Sequence, residues 1–195
     1  MEIRNGVDVD KLKETIDTIK TNPEIANFKF RAENEWINGA HSKTRIQTSS
    51  GKIFTLEADE PRILLGTDLA PNAVQAVLHA LASCLTVGFV YNAAARGINV
   101  EALELYLEGD LDLHGFLGIS EDVRPSYLNI RVNFRVRSDA TRDQIEDLLE
   151  YAQRTSPVTD IVRNGVPVYV TLEQNIEASG VRAGAGQAGE VSSSD

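Results

Sequence analysis

PNAVQAVLHALASCLTVGFVYNAAARG, residues 71–97, is the stretch around which the rest of the chain has to be arranged. Ala, Leu and Val fill it on nearly every side, so as a helix it is apolar almost all round. Such a helix is buried in a core or crosses a membrane; it does not lie on a surface. Asn72 after Pro71 is a good N-terminal cap, and Gly97 after Arg96 a good C-terminal stop. The only cysteine of the chain, Cys84, sits near the middle of the run. Ala73 to Tyr91 is uncharged over a length that could span a bilayer. Gln75, His79, the many alanines and the lack of an aromatic belt or basic flank at its start predict a core helix instead.

Composition narrows the function classes. A chain of 195 residues suits one domain with a sizeable core. Its formal net charge of −10 argues against a nucleic-acid partner, which requires a basic footprint. One cysteine excludes an intrachain disulfide, and three scattered histidines make no metal constellation. No Walker loop, dinucleotide fingerprint or serine nucleophile elbow is present. The opening MEIRNGVDVDKLKE has no signal-type apolar core, so the expected location is cytoplasmic, with no cofactor and no metal.

Working outward, Val9, Leu12, Ile16 and Ile19 recur at helical spacing and predict an N-terminal helical arm over residues 1–27. Phe28, Phe30, Ala32 and Trp36 then read as a strand, with Asn38-Gly39 as a turn. Ser42–Thr48 and Lys52–Ala58 complete a three-stranded meander. A loop punctuated by Pro61 and Gly66 leads to the long helix. Beyond Gly97, Val100–Leu113 and Tyr127–Arg137 alternate as strands, with Gly109 suggesting a bulge or bend. Thr141 and Gln144 form a capping-box pair ahead of a helix with Ile145, Leu148, Leu149 and Ala152 on its buried stripe. Pro157 breaks that helix, a short turn follows through Asp160 and Ile161, and Val166–Glu173 reads as a last strand. The order β-β-β-α-β-β-α-(α)-β is an α+β fold over residues 28–174. Residues 175–195, rich in Ala, Gly and Ser, read as a disordered tail.

Cys84 is the one reactive candidate. A cysteine on an all-apolar helix is ordinarily a packing residue. A reactive one needs a cation, a helix N-terminus or a histidine beside it. Cys84 lies more than a dozen positions past Pro71, too deep for the dipole of its own helix to help. His79, five residues away, is rotated about 140° around the helix and shares no face with it. Any cation has to come from elsewhere in the fold or from a partner subunit.

The blocks PNAVQAVLHALASCLT (71–86), AAARGI (93–98), LEGDLDLHGFLG (107–118), VRPSYLNIRVNFRV (123–136) and RTSPVTDIVRNGVPV (154–168) together resemble the OsmC/Ohr family, named for osmotically inducible protein C and organic hydroperoxide resistance proteins. The resemblance covers residues 28–173 in the same block order. It implies an intertwined homodimer, two central helices between sheets from both chains, and an interfacial site where a thiolate reduces organic or lipid hydroperoxides. Cys84 falls at the family's peroxidatic position, and Ser156 stands where a second, resolving cysteine is expected. The helix start offers Val74 and Gln75 in place of the family's glutamate. The early hairpin offers His41, Lys43 and Arg45 around the place of its arginine, which makes Arg45 and His41 the candidate thiolate partners.

Two functions follow. The first is a one-cysteine thiol peroxidase in which Cys84 reduces an organic hydroperoxide. Because Ser156 supplies no thiol, a dithiol, lipoyl or thioredoxin-like, would regenerate it. The second is a non-catalytic dimer that binds an apolar ligand or senses redox state. Neither calls for nucleic acid or membrane.

Overall fold

The cap read from the sequence is what starts the long helix. In the computed structural model, Asn72 Oδ1 accepts from the Gln75 amide at 3.0 Å while Gln75 Oε1 accepts from the Asn72 amide at 2.9 Å. Two otherwise orphaned amides are thereby satisfied, and the helix Ala73–Ala95 begins. The structure describes residues 1–173.

In chain order the elements are β1 (Ile3–Arg4), β2 (Val7–Asp8), α1 (Val9–Thr21), a 3-10 turn (Pro23–Ala26), β3 (Ala32–Asn38), β4 (His41–Gln47) and β5 (Ile53–Ala58). A second 3-10 turn (Arg62–Leu64) leads to α2 (Ala73–Ala95), followed by β6 (Val100–Leu111), α3 (Leu113–Phe116), β7 (Tyr127–Ser138), α4 (Arg142–Thr155) and α5 (Pro157–Asn164). Strands β1 and β2 form a hairpin, β3-β4-β5 a meander and β6-β7 a long ribbon, all antiparallel. This is the α+β architecture expected.

The core forms where α2 meets the β6–β7 ribbon and α4. Phe89, Ala93, Ile98, Leu148 and Ala152 are buried together, and Phe89 meets Phe134 with ring centroids 6.0 Å apart. Fully burying side chains such as Phe89 and Leu148 contributes about 1.5–3 kcal/mol each. Leu81, Leu85, Phe89 and Ala93, four residues apart, lie on one face of α2 and are its buried stripe. By length and composition α2 could cross a bilayer. Within the protomer it is instead a core helix covered on one face only: Val77, Val87 and Tyr91 stay exposed. One ribbon and two helices supply one covering layer, and an all-round apolar helix needs two.

Residues 1–165 form one compact unit. Its first hairpin, turning through Asn5 and Gly6 at φ 52° and 77°, is an addition to the expected helical arm. Arg4 donates to the Gly97 carbonyl at 2.7 Å and Asn5 to the Ile98 carbonyl at 2.9 Å, tying this hairpin to the exit of α2. Phe28 and Phe30 precede the first meander strand rather than belonging to it, and stack on each other at 6.2 Å. Gly109 itself pairs with Ile130, and the register shifts of the ribbon fall at Val100/Ala102 and, one residue beyond Gly109, at Asp110/Leu111. A Cβ on Gly109 would stand 2.6 Å from the Tyr127 ring, so the glycine makes room for that ring.

The last predicted strand is corrected. Residues 166–173 have no regular structure, and Val166, Val168, Val170 and Leu172 are exposed. Alternation favours a strand, but a strand exists only through a ladder with a neighbour, and that depends on more than its own residues. The tail expected at 175–195 lies outside the described residues.

Candidate active site

Cys84 is half buried on α2, and the element that meets it is the junction of α4 and α5. Ser156 ends α4 and caps α5, with extended φ/ψ of −79° and 114°. Pro157 at the first helical position has no amide to leave unsatisfied. The buried Ser156 hydroxyl accepts from the Thr159 amide at 3.1 Å and donates to Cys84 Sγ at 3.1 Å. With a lone pair committed to the helix amide, the hydroxyl proton is free to point at sulfur. The sulfur therefore meets a hydrogen-bond donor at the positive end of a helix other than its own.

The other sequence candidates lie elsewhere. Arg45 donates to Glu33 at 2.9 Å across β3 and β4, and His41 Nε2 is 3.2 Å from Glu57, which Lys43 also approaches at 3.6 Å. None of these contacts reaches Cys84 within the protomer. His79 is exposed on α2, and His114 sits 2.7 Å from Asp112. Among the described residues, no three or more His, Cys, Asp or Glu side chains converge as a metal site would need.

A groove of about 630 Å³, a typical volume for a small-molecule site, runs along the same two helices, α2 and α5, without Cys84 or Ser156 in its lining. Leu81 and Leu85 of α2, Ile130 and Phe134 of β7, and Thr159 and Arg163 of α5 are among its walls. Tyr127, also in the lining, donates to the Val74 carbonyl at 2.9 Å, and burial pushes its phenol up from the ordinary value. The loop that delivers the chain to α2 is held by Asp59, which is 2% exposed. Its carboxylate accepts from the Thr67 hydroxyl at 2.6 Å and from the amides of Glu60, Thr67 and Leu69 at 2.8–3.2 Å. The Thr67 hydroxyl, with those amides, lowers the Asp59 carboxyl to about 2.

The family model for OsmC-like protein matches residues 66–171, a span that holds α2, both long strands, the α4–α5 junction and the Cys84–Ser156 contact. The chain belongs to the OsmC-like family. Solved structures with the same fold include an OsmC-like protein from Mycoplasma pneumoniae at 16% identity, covering 71% of this chain and 89% of that one with a TM-score of 0.57. Another is an osmotic stress induced and detoxification response protein from Psychrobacter arcticus, at 12% identity, 71% and 92% coverage and a TM-score of 0.56. A third is an organic hydroperoxide resistance protein from Elizabethkingia anophelis, at 14% identity, 71% and 90% coverage and a TM-score of 0.51. At such identities the likeness speaks to the fold. No match is found among curated proteins.

In this OsmC-like chain the family resemblance set Ser156 at the position of the cysteine that would pair with Cys84, and the fold places the two in contact. What sequence reasoning missed is the helix N-terminus at the sulfur. Its local signal was the Ser156-Pro157 pair, an N-cap followed by a first-turn proline. Nothing local says that this cap meets a residue 72 positions earlier.

Proposed function

We propose that this OsmC-like protein reduces organic hydroperoxides through Cys84 and is returned to its starting state by an external thiol. The observation that carries the reading is the Ser156 hydroxyl donating to Cys84 Sγ at 3.1 Å, at the N-terminus of α5. The thiolate is the form that attacks a peroxide, and the Ser156 hydroxyl is placed to donate a hydrogen bond to the reacting sulfur. The sulfur attacks the terminal peroxide oxygen; an S–O bond forms, the O–O bond breaks, and the alkoxide leaves as the alcohol after taking a proton. Cys84 is left as a sulfenic acid. Ser156 has no thiol with which to condense, so a first external thiol forms a mixed disulfide with loss of water. A second releases Cys84 and leaves as the external disulfide. The sum is one peroxide and two thiols converted to alcohol, water and disulfide.

The working unit in this reading is a homodimer. Its support is the uncovered apolar surface of one protomer: Val77, Val87 and Tyr91 on α2, and Trp36, Ile53 and Leu56 on the meander, with Trp36 70% exposed. Patches of that kind mark interfaces, and closed two-fold pairing is the commonest way to bury them. A partner chain is also the available source of a cation for Cys84, because His41 and Arg45 are engaged on their own meander.

The test follows Cys84 by intact mass and residual thiol after one equivalent of organic hydroperoxide. Rapid gain of one oxygen, absent in Cys84→Ser and reversed by a dithiol, is expected. Oxidation no faster than that of a free cysteine would overturn the reading. It would favour the second one, a dimer that binds an apolar ligand without turnover, for which the groove lined by Leu81, Leu85 and Phe134 is the supporting observation.

A further inference from the structure

Where glycine follows asparagine, the glycine nitrogen can approach the asparagine side-chain amide closely, because no side chain holds the two apart. The chain contains three such pairs, Asn5-Gly6, Asn38-Gly39 and Asn164-Gly165. Their local chemistry is the same, and the fold treats them differently.

Asn5 is held at both ends of its amide. Its Nδ2 donates to the Ile98 carbonyl at 2.9 Å and its Oδ1 accepts from the Val100 amide at 2.9 Å, against the backbone that leaves α2. Asn164 ends α5, where its Nδ2 donates to Asp160 Oδ1 at 2.6 Å. The Gly165 amide, the nitrogen that would attack, donates to the Ile161 carbonyl at 3.0 Å. Asn38 has neither restraint. It is exposed at the end of β3, and Gly39 follows it at φ 56° in the turn to β4. Among the described residues, neither the Asn38 side chain nor the Gly39 amide makes a hydrogen bond. The one bond at this turn, from Trp36 Nε1 to the Gly39 carbonyl at 3.0 Å, engages the oxygen and leaves the nitrogen free.

We propose that Asn38 is a site of spontaneous deamidation, and that the fold protects Asn5 and Asn164 from the same reaction. The Gly39 nitrogen, after losing its proton to solvent, attacks Asn38 Cγ. An N–C bond forms, the Cγ–Nδ2 bond breaks, and ammonia leaves with a proton from solvent, giving a succinimide. Water then opens the ring at either carbonyl. One product is aspartate; the other is isoaspartate, in which the main chain runs through the side-chain carbon. The sum is one water consumed and one ammonia released. Either product sets a new carboxylate at the position paired with His41 across β3 and β4. Isoaspartate also lengthens the main chain by one atom at the turn that Trp36 holds.

The experiment stores the full chain in mildly alkaline buffer, folded and, in parallel, unfolded in urea. Samples are digested with trypsin at mildly acid pH, which puts the three pairs in separate peptides. Each deamidated peptide is quantified by mass and by isoaspartate-specific methyl labelling. In the folded protein Asn38 is expected to convert at least about tenfold faster than Asn5 and Asn164, because the held amides must first break hydrogen bonds. In urea the three rates should fall within about threefold of one another, since no tertiary contact then distinguishes them. Asn38→Gln should abolish the acidic species that isoelectric focusing reveals in the stored folded protein. Equal rates in the folded protein, an intact Asn38, or faster conversion at Asn5 or Asn164 would overturn the proposal. So would an acidic species that survives Asn38→Gln. A lead for Asn38 of the same size in urea would overturn it too, by placing the cause in the neighbouring residues and not in the fold.

Discussion

Ser156 Oγ stands 3.1 Å from Cys84 Sγ across 72 residues of chain, and the same oxygen accepts the Thr159 amide that starts α5. One hydroxyl thereby joins the cysteine of the central helix to the cap of another helix. A serine at this point keeps the contact that a second cysteine would make and withholds the covalent bond.

Ser156→Cys should therefore supply the missing bond. With two thiols at this junction, peroxide is expected to convert the protein to an intrachain disulfide. Mass spectrometry would show loss of two hydrogens, and neither thiol would react with an alkylating agent. The wild type is expected to gain an oxygen instead. A stable sulfenic acid in Ser156→Cys, with the introduced thiol still free, would show that the two sulfurs cannot reach disulfide geometry.

Removing the hydroxyl separates its two roles. Ser156→Ala loses an N-cap and should cost about 1 kcal/mol in chemical denaturation. It also loses the donor to sulfur, so oxidation of Cys84 by peroxide should slow roughly threefold to tenfold. Ser156→Thr keeps a capping hydroxyl and should restore both. A variant that loses stability with an unchanged oxidation rate would make the residue a cap only.

Asp59 gives an acid limb to stability. Its folded carboxyl lies at about 2, held down by the Thr67 hydroxyl and three amides, against an ordinary value of 3.8. The unfolded chain therefore takes up this proton first. The contribution is fully present above about pH 4 and is lost as pH falls through the folded value toward 2. Asp110, lowered to about 2 chiefly by Arg131, titrates in the same window. Melting temperature should fall between pH 4 and 2, and Asp59→Asn should show a lower plateau with a shallower fall. An unchanged slope in that variant would mean that Asp59 does not anchor the loop.

Two glycines should respond in opposite directions to alanine. A Cβ on Gly66 would fall 1.7 Å from the Glu60 carbonyl oxygen, which is backbone and cannot turn aside. Gly66→Ala should cost about 1–3 kcal/mol or more as the Asp59 loop opens. On Gly88, inside α2, the added Cβ would meet Ala152 Cβ at 3.7 Å, an ordinary contact. Gly88→Ala should raise stability by about 0.5–1 kcal/mol through helix propensity. Thermal unfolding of the two variants side by side would check both signs.

The sequence by itself determined the parts whose causes are local. Asn72 with Gln75 and Thr141 with Gln144 make capping boxes from side chains three residues from their targets, so both helix starts were legible. Alternation marked β6 and β7, and the uncharged run around Cys84 marked the central helix. The Asn5-Gly6 turn was equally local and was overlooked beside the stronger helical spacing that follows it. Tertiary structure alone decided what depends on distant partners. It chose which face of α2 is covered, because a helix apolar all round carries no preferred side. It set Gly109 under the Tyr127 ring, where the sequence suggested a bulge. It left residues 166–173 without regular structure, since a strand needs a neighbour. Above all it brought the N-terminus of α5 to Cys84. The family resemblance linked positions 84 and 156, but no local pattern joins a cap to a cysteine 72 residues away, and the contact forms only once the core between α2 and α4 has packed.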